Sequence, residues 1–218
     1  MDDEIKLIET FKQRFSNNTH IFLVQIGAND GVMADPVHTL IKTESRISAC
    51  LIEPQKEEFQ KLKHNYKSCE DRLMFLNVAI TSQNGNVKLY KNIDPLGSSG
   101  HSSLLLRQNE FASHFSEEAY ELVKGINFST LLEKISHTIN ALIIDTEGYD
   151  IKIINQVIEN KIYPDIIFFE RPYPSVGNDR LNNVETGNDV LGNMVNTLEK
   201  LDYDVKVLSG NVLCVKNI

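Results

Sequence analysis

The 218-residue sequence has few cysteines, no long hydrophobic run and no excess of positive charge. Its apolar runs are far shorter than the roughly 18 residues that a membrane-spanning helix requires. The acidic start, residues 1–4, lacks the basic and apolar segments of a signal peptide, so we expect none. The net charge of −8 disfavours nonspecific binding to nucleic acid, which depends on neutralising phosphates with Lys and Arg. These absences predict neither a membrane span nor a nucleic-acid partner.

The three cysteines, Cys50, Cys69 and Cys214, lie far apart and form no Cys-x-x-Cys motif. This pattern predicts reduced thiols in a cytoplasmic protein and no zinc site. The histidines show no spacing with acidic residues that is typical of a metal site. We therefore expect no bound metal.

The hydrophobic content of 41% and charged content of 24% are typical of one globular domain, here residues 1–218. Apolar runs of strand length alternate with helical stripes, which predicts a parallel sheet covered on both faces. The expected strands are Ile21–Ile26, Ile47–Glu53, Leu73–Ile80, Val87–Tyr90, Val123–Phe128, Asn140–Asp145, Asp165–Glu170, Tyr203–Leu208 and Val212–Lys216. Three helices are expected over residues 3–16, 55–67 and 190–201, and three more begin at Asp35-Pro36, at a capping box on Thr130 and after Asp145. Residues 104–120 are expected to be helical or mobile. The fold class is α/β, doubly wound, with a mostly parallel seven-stranded sheet and an antiparallel C-terminal hairpin strand. NAD-binding folds usually end on parallel strands, whereas methyltransferases that use S-adenosylmethionine (SAM) end on such a hairpin.

The stretch Ile21–Gly31 organises the rest of the chain. A short buried strand ends at Gly27, the chain turns again at Gly31, and Asp35-Pro36 is typical of a helix start. The spacing G-x-x-x-G lacks the G-x-G-x-x-G of dinucleotide folds and the Lys-[Ser/Thr] pair of P-loops. An open turn of this kind suits a ligand without phosphates, such as SAM. The alternative is an ordinary loop between a strand and a helix.

Two further strand ends carry candidate cofactor residues. Glu53 ends the second strand, 22 residues after Gly31, where an acid can accept hydrogen bonds from both ribose hydroxyls. The alternative is a solvated acid ahead of Pro54. Asn77 and Ala79 would border the adenine, unless they only mark a strand end.

Acidic side chains also follow the later strands. Asp145 and Glu147 flank the end of a buried strand, where paired acids can orient a hydroxyl, hold a cation or act as a base. Glu147 can equally be an acid favoured by the helix dipole. Glu170 ends the next strand and is as well placed to pair with an arginine. His101 lies in a Gly/Ser-rich loop and is a candidate general base, although most loop histidines are simply solvated.

Taken in order, these motifs resemble the FkbM family of SAM-dependent methyltransferases over about residues 20–208. The motifs are Gln25-Ile-Gly-Ala-Asn-Asp-Gly31, Ile52-Glu-Pro54, Asn77-Val-Ala-Ile80, Gly85 with Leu89, Ser102-Ser-Leu104, Ile144-Asp-Thr-Glu-Gly148 and Phe169-Glu170. The resemblance implies a class I methyltransferase fold and methyl transfer to a hydroxyl, often on a sugar or natural product. The candidate cofactor residues are Gln25, Gly27, Asn29, Asp30, Gly31, Glu53, Asn77, Ala79 and Asp145; the candidate catalytic residues are Asp145, Glu147 and His101.

The sequence departs from this family at two positions. Many members carry an acid where this chain has the neutral Gln25, and a lysine where it has Ile143. In so short a sequence we expect no extra substrate domain, and therefore a small acceptor or one end of a glycan. Asp145-Thr-Glu-Gly148 replaces the Asn-Pro-Pro-Tyr of amino-group methylases, and no cysteine lies where a cytosine methylase needs its nucleophile.

The leading hypothesis is therefore a SAM-dependent O-methyltransferase, with the methionine carboxylate of SAM near the amides of the glycine turn. A module that binds SAM or a partner without catalysis and a nicotinamide oxidoreductase are the alternatives. Three acids at strand ends can hold Mg²⁺ in some O-methyltransferases, but no dedicated metal motif is present, so we predict metal-independent transfer. The closing hairpin leaves an edge at which two copies can pair as a homodimer.

Overall fold

The structure of the chain, a computed structural model, describes residues 2–93, 102–105, 115–172 and 187–217. Strands and helices alternate along much of the chain, as the apolar pattern predicts. The strands are β1 (Ile21–Ile26), β2 (Ile47–Ile52), β3 (Leu73–Leu76), β4 (Ala79–Ile80), β5 (Gly85–Asn92), β6 (Phe115–Ile126), β7 (Ala141–Ile144), β8 (Ile166–Glu170), β9 (Tyr203–Val207) and β10 (Asn211–Lys216). The α-helices are α1 (Asp2–Arg14), α2 (His38–Thr43), α3 (Lys56–Asn65), α4 (Phe128–Leu132), α5 (Asp150–Glu159) and α6 (Gly187–Lys200), and a 3₁₀ helix covers Lys67–Arg72.

The main sheet has seven strands in the order β3-β2-β1-β7-β8-β10-β9. The first five are parallel, and β10 runs antiparallel to both of its neighbours, β8 and β9. Every residue of β1 and β7 is buried, as expected for central strands covered on both faces. The predicted fold class, with its antiparallel C-terminal hairpin, is confirmed.

Two hydrophobic clusters fill the layers on the two faces of this sheet. Apolar side chains at helical spacing in α1, α2 and α3 pack on one face, and those in α5 and α6 pack on the other. The first cluster includes Leu7, Phe11, Phe15, Ile41 and Leu62; the second includes Ile153, Ile154, Val157, Met194 and Leu198. The central strands are thereby held rigid, and their carboxyl ends form a fixed edge.

A second, three-stranded sheet has the order β4-β6-β5. Its strand β6 pairs in parallel with β4 and antiparallel with β5. Ala79, Leu89 and Val123 form a small buried cluster on this sheet. The backbone of Ser103 forms two hydrogen bonds with Tyr90, of 2.8 and 3.0 Å, so residues 102–105 lie along the β5 edge.

Two expectations about this region are wrong. The single strand expected over Leu73–Ile80 divides into β3 and β4, which belong to different sheets. At the break, the Asn77 side-chain amide donates to the carbonyl oxygens of Glu53 (2.8 Å) and Pro54 (2.9 Å). Residues 115–120, expected to be helical or mobile, belong to β6, because backbone pairing with β5 compensates for a polar, half-exposed sequence.

The starts of two short helices also differ from expectation. Helix α2 begins at His38, with Val37 as its N-cap, and not at Asp35-Pro36. The Asp35 carboxylate instead closes a turn ahead of the helix by accepting a 2.8 Å hydrogen bond from the Val37 amide. Helix α4 begins before the expected cap at Thr130. Its N-cap is Asn127, whose side chain accepts from the Thr130 amide at 2.9 Å.

The three cysteines are free thiols, as predicted, and all three are buried. Burial raises the pKa of the Cys50 and Cys214 thiols to about 12, so both are inert at neutral pH. No helix in the described part of the chain is both long and apolar enough to cross a lipid bilayer.

Candidate functional site

A cavity opens at the carboxyl ends of β1, β2 and β7, where open α/β sheets bind ligands. The second sheet covers one side of it with Ala79, Ile80 and Leu89. Seven of the predicted site residues line this one cavity: Gln25, Gly27, Asn29, Glu53, Ala79, Asp145 and Glu147. Sequence positions more than 100 residues apart thus meet at the edge that the parallel strands define.

Gly27 and Gly31 both have positive φ, +84° and +73°, as the predicted turn requires. A Cβ on Gly27 would lie 1.7 Å from the backbone oxygen of Asp145, and one on Gly31 would lie 2.5 Å from Tyr66 Cε2. Gly27 therefore lets the turn pack closely against the end of β7, and Gly31 lets it pack closely against Tyr66, just beyond α3.

The amides of the glycine turn, residues 27–31, are largely engaged within the protein. The amides of Gly27 and Ala28 donate to the Ile52 carbonyl oxygen at 2.9 and 3.0 Å. The Asn29 amide donates to Glu53 Oε2 at 2.9 Å. These three donors therefore already have acceptors in β2 and the residue after it. That the methionine carboxylate of SAM lies near the turn amides stays a prediction.

Glu53 is 3% exposed and tied to the backbone through both carboxylate oxygens. Its Oε2 accepts from the Asn29 amide, and its Oε1 accepts from the Gln55 amide at 2.7 Å. Burial raises the pKa of Glu53 to about 7, although these two hydrogen bonds oppose the shift. Each oxygen retains a lone pair that can accept a ligand hydroxyl, and the backbone bonds fix the carboxylate for that role.

Three acceptor groups lie beside the turn. Within the described ranges, the buried side-chain atoms without a hydrogen-bond partner are Gln25 Oε1 and Asn29 Oδ1. Asp35, 8% exposed, lines the same cavity, and burial raises the pKa of its carboxyl group. This side of the cavity offers oxygens and calls for a ligand that donates hydrogen bonds.

The loop Asp145–Gly148, which we name the acid loop, follows β7 directly. Asp145 is exposed at the cavity, and Glu147 adopts φ +55°. The buried Asp150 fixes the loop: its Oδ2 accepts from Thr146 Oγ1 (2.8 Å) and from the Gly148 amide (3.3 Å). Burial raises the pKa of Asp150 to about 6, even though these hydrogen bonds favour the ionised form.

Contacts with residues 102–105 also hold the acid loop. Ser103 Oγ donates to the Glu147 carbonyl oxygen at 2.8 Å, and Ser102 Oγ donates to Gln55 Oε1 at 3.1 Å. These contacts connect the second sheet to both the acid loop and the residues after β2. The cavity is therefore enclosed by elements that hydrogen bonds hold together.

Four predicted residues do not line the cavity. Asp30 accepts the amides of Val32 and Met33 and shapes the turn. Gly31 packs on Tyr66. The Asn77 side chain donates to the backbone oxygen of Glu53. The Glu170 amide lies 3.4 Å from Asp150 Oδ1. His101, with most of its Gly/Ser-rich loop, lies outside the described residues. Across the ranges that the structure covers, no group of three His, Cys, Asp or Glu side chains could hold a metal ion.

Sequence reasoning missed several cavity residues. Asp35 was interpreted as a helix cap, and its Asp-Pro signal gave no sign of an inward side chain. Leu89 and Leu104 reach the cavity because the second sheet covers it, and that arrangement has no local signal in the sequence. Thr146 was missed as well, although its place between two strand-end acids is a signal that could have identified it.

The cavity residues fit SAM. Val78, Ala79 and Ile80 form an apolar wall suited to an adenine ring, and Glu53 beside them can accept from ribose hydroxyls. The unpartnered oxygens of Gln25 and Asn29 can accept from a polar end of the ligand. Together with the seven-stranded sheet and its antiparallel strand, this site defines a class I SAM-dependent methyltransferase.

Comparison with known families agrees. The family model described as the methyltransferase FkbM domain matches residues 25–205. The chain therefore belongs to the FkbM methyltransferase family, and its cofactor is SAM. A search of curated protein sequences finds no match.

Solved structures with a similar fold have distant sequences. A protein from Staphylococcus aureus assigned as a caffeoyl-CoA O-methyltransferase has a TM-score of 0.54 and 11% identity, covering 97% of this chain and 83% of its own. The human methyltransferase 10 domain containing protein has a TM-score of 0.51 and 9% identity, covering 99% of this chain and 81% of its own. At these identities the likeness establishes the fold alone.

Proposed function

We propose that this methyltransferase transfers a methyl group to a hydroxyl of a sugar, glycan or small natural product. The observation that carries the proposal is the acid loop, which brings Asp145 and Glu147 to the mouth of the SAM cavity. A hydroxyl is a poor nucleophile until its proton is removed, so an exposed carboxylate at this point has a clear use.

Each side chain has a distinct role in this proposal. SAM supplies a methyl group that its sulfonium activates. Glu53 accepts hydrogen bonds from the ribose hydroxyls, and Asp145 accepts the proton of the acceptor hydroxyl. Glu147 orients the acceptor, and Asp150 positions the acid loop through Thr146. A positioned base contributes roughly 10²–10⁴-fold to the rate, and orientation of the reactants contributes the rest.

A shallower cleft beside the cavity is the proposed acceptor site. It shares Leu104 with the cavity and includes Thr81, Lys88, Tyr90 and Tyr149. Aromatic faces and hydroxyl groups are suited to a sugar, which presents both C–H faces and hydrogen-bonding hydroxyls. The cleft is more open to solvent than the cavity, so it can accept the terminus of a longer glycan as well as a small molecule.

The three cysteines support a proposal about the cellular compartment in which the protein works. Three free, buried thiols with no disulfide are typical of proteins in a reducing compartment. We propose that the reaction takes place in the cytoplasm, where SAM is made and where activated sugars are assembled.

The test is transfer of an isotope-labelled methyl group from SAM to a panel of hydroxyl, amino and carboxyl acceptors. The proposal predicts a product ether with a hydroxyl acceptor. Asp145→Asn is expected to lower turnover by about 100-fold or more while the affinity for S-adenosylhomocysteine (SAH) stays within threefold. The exposed Asp71, in the 3₁₀ helix, supplies the control variant Asp71→Asn.

Three outcomes would contradict this function. Labelled products found only with amino or carboxyl acceptors would refute O-methylation. Full turnover in Asp145→Asn together with its loss in His101→Asn would move the base to His101. Tight SAH binding without transfer to any acceptor would favour the non-catalytic module.

A further inference from the structure

On the glycine-turn side of the cavity, two hydrogen-bond acceptors have no donor. Gln25 is 3% exposed, yet its Oε1 has no donor, and neither has the buried Asn29 Oδ1. Buried polar atoms in proteins nearly always have partners, so two orphans in one cavity indicate a ligand group that occupies this place. Since both orphans are acceptors, that ligand group must be a donor.

Asp35 adds a buried carboxyl group to the same side. Its Oδ1 accepts from the Val37 amide (2.8 Å), its Oδ2 accepts from Tyr66 Oη (3.3 Å), and a side-chain hydrogen bond from Gln25 reaches it as well. These donors are all neutral. Within the described ranges no lysine or arginine forms an ion pair with Asp35. His38 interacts with it electrostatically and acts to lower its pKa, but directs its Nδ1 to the Gly31 carbonyl oxygen at 2.5 Å and makes no hydrogen bond to the carboxyl group. A carboxylate so deeply buried gains most from a cation.

The arrangement of the residues that line the cavity determines which part of SAM lies beside Gln25, Asn29 and Asp35. The apolar residues Val78–Ile80 and the acid Glu53 suit the adenine and the ribose. The opposite end of the molecule carries an amino acid group with an ammonium and a carboxylate. The turn amides are engaged by Ile52 and Glu53, so the wall offers acceptors to the ammonium and few donors to the carboxylate.

We propose that Asp35 binds the α-ammonium group of SAM, together with the side-chain oxygens of Gln25 and Asn29. An ammonium has three N–H donors, which matches two amide oxygens and one carboxylate. The charge comes from the loop after the glycine turn, and the strand residue Gln25 contributes only a neutral oxygen. This assignment depends on SAM occupying the cavity and not on the identity of the methyl acceptor.

The experiment is calorimetric titration of three probes into the full chain: SAH, its analogue without the amino group, and 5′-methylthioadenosine. For the unaltered chain, SAH is expected to bind about tenfold or more tightly than the analogue without the amino group, because a charged hydrogen-bonded contact is lost. In Asp35→Asn, the affinity for SAH should fall about tenfold or more, while the affinities for the other two probes stay within twofold.

Two further variants sharpen this test. Asp3→Asn is the control, because Asp3 is a hydrogen-bonded carboxylate, 7% exposed, that binds the Ser209–Asn211 loop away from the cavity. It should leave all three affinities unchanged. Gln25→Met keeps the length of the side chain but removes both Oε1 and the donor to Asp35. It should weaken binding of SAH, and not of the two probes without the α-amino group, by about three- to tenfold. It also provides an independent reading if Asp35→Asn does not fold.

The outcomes separate this proposal from the cofactor assignment. If Asp35→Asn weakens all three probes equally, Asp35 only shapes the cavity and the proposal is overturned. The same holds if Asp35→Asn, or Gln25→Met where the first variant does not fold, leaves the SAH affinity unchanged. No SAH binding by the unaltered chain would instead overturn the assignment of SAM, and this proposal with it.

Discussion

Replacing Glu53 with alanine tests the cofactor site at its most constrained side chain. The carboxylate is 3% exposed and already held by the amides of Asn29 and Gln55, so it meets a ribose without reorganising. Hydrogen bonds to a charged group contribute about 1–3 kcal/mol, which corresponds to roughly a 5- to 150-fold loss of SAH affinity. Calorimetry at pH 8, where most Glu53 is ionised, measures this loss directly.

The same substitution has a smaller effect on the fold. It leaves two backbone amides without their acceptor, but it also removes the cost of burying the carboxylate, and the two effects partly cancel. We expect a folded variant whose free energy of unfolding falls by at most about 1–2 kcal/mol. Glu57→Ala is the control, because Glu57 is an exposed acid in the first turn of α3. SAH affinity within twofold of wild type in folded Glu53→Ala would refute the reasoning.

Further predictions concern pH, packing and metal. Because the pKa of Glu53 is raised to about 7, SAH affinity should rise with pH from 5.5 to 8 as the ionised acceptor forms, and Glu53→Gln should abolish the rise. The raised pKa also affects stability, because ionising the buried carboxyl group costs more in the folded protein than in the unfolded chain. As pH rises from 4.5 to 7, the free energy of unfolding of wild type should fall relative to that of Glu53→Gln by on the order of 3 kcal/mol, measured by denaturant titration. Burial raises the pKa of Asp3, but hydrogen bonds from the hairpin loop outweigh it and lower it to about 2. Asp3→Asn should therefore destabilise the protein near pH 7, and the difference should vanish as pH falls from 4 to 2; an undiminished difference at pH 2 would contradict the assignment. Gly31→Ala should cost about 2–4 kcal/mol of unfolding free energy, since its Cβ would meet Tyr66 at positive φ, whereas Gly192→Ala in α6, with open space around it, should be neutral or stabilising. Turnover should persist after exhaustive EDTA treatment, and activity restored only by Mg²⁺ or Mn²⁺ would refute metal independence.

The main sheet could be predicted from sequence because its central strands are buried on both faces. Continuous apolar runs such as Ile21–Ile26 and Ala141–Ile144 have few alternative structures once glycines and acids bound them. The second sheet could not be predicted in the same way. Its long strand, Phe115–Ile126, is polar and half-exposed, and its pairing with β5 is a tertiary property.

The candidate site, like the two sheets, has a part that could be predicted from sequence and a part that could not. Glu53, Asp145 and Glu147 were predictable because parallel strands bring their carboxyl ends to one edge. Asp35 was not, because its Asp-Pro sequence is typical of a helix cap and only packing against Tyr66 turns the carboxylate inward. The use of the turn amides was also unpredictable, since it depends on how closely β1 and β2 end together.

The central claim is that SAM binds in the cavity between the glycine turn and the acid loop. A crystal structure of the chain with SAH tests it most directly. The account predicts both ribose hydroxyls on the Glu53 carboxylate, the adenine against Val78–Ile80, and the sulfur facing Asp145. Density for SAH at any other place on the molecule, or a ribose turned away from Glu53, would contradict it.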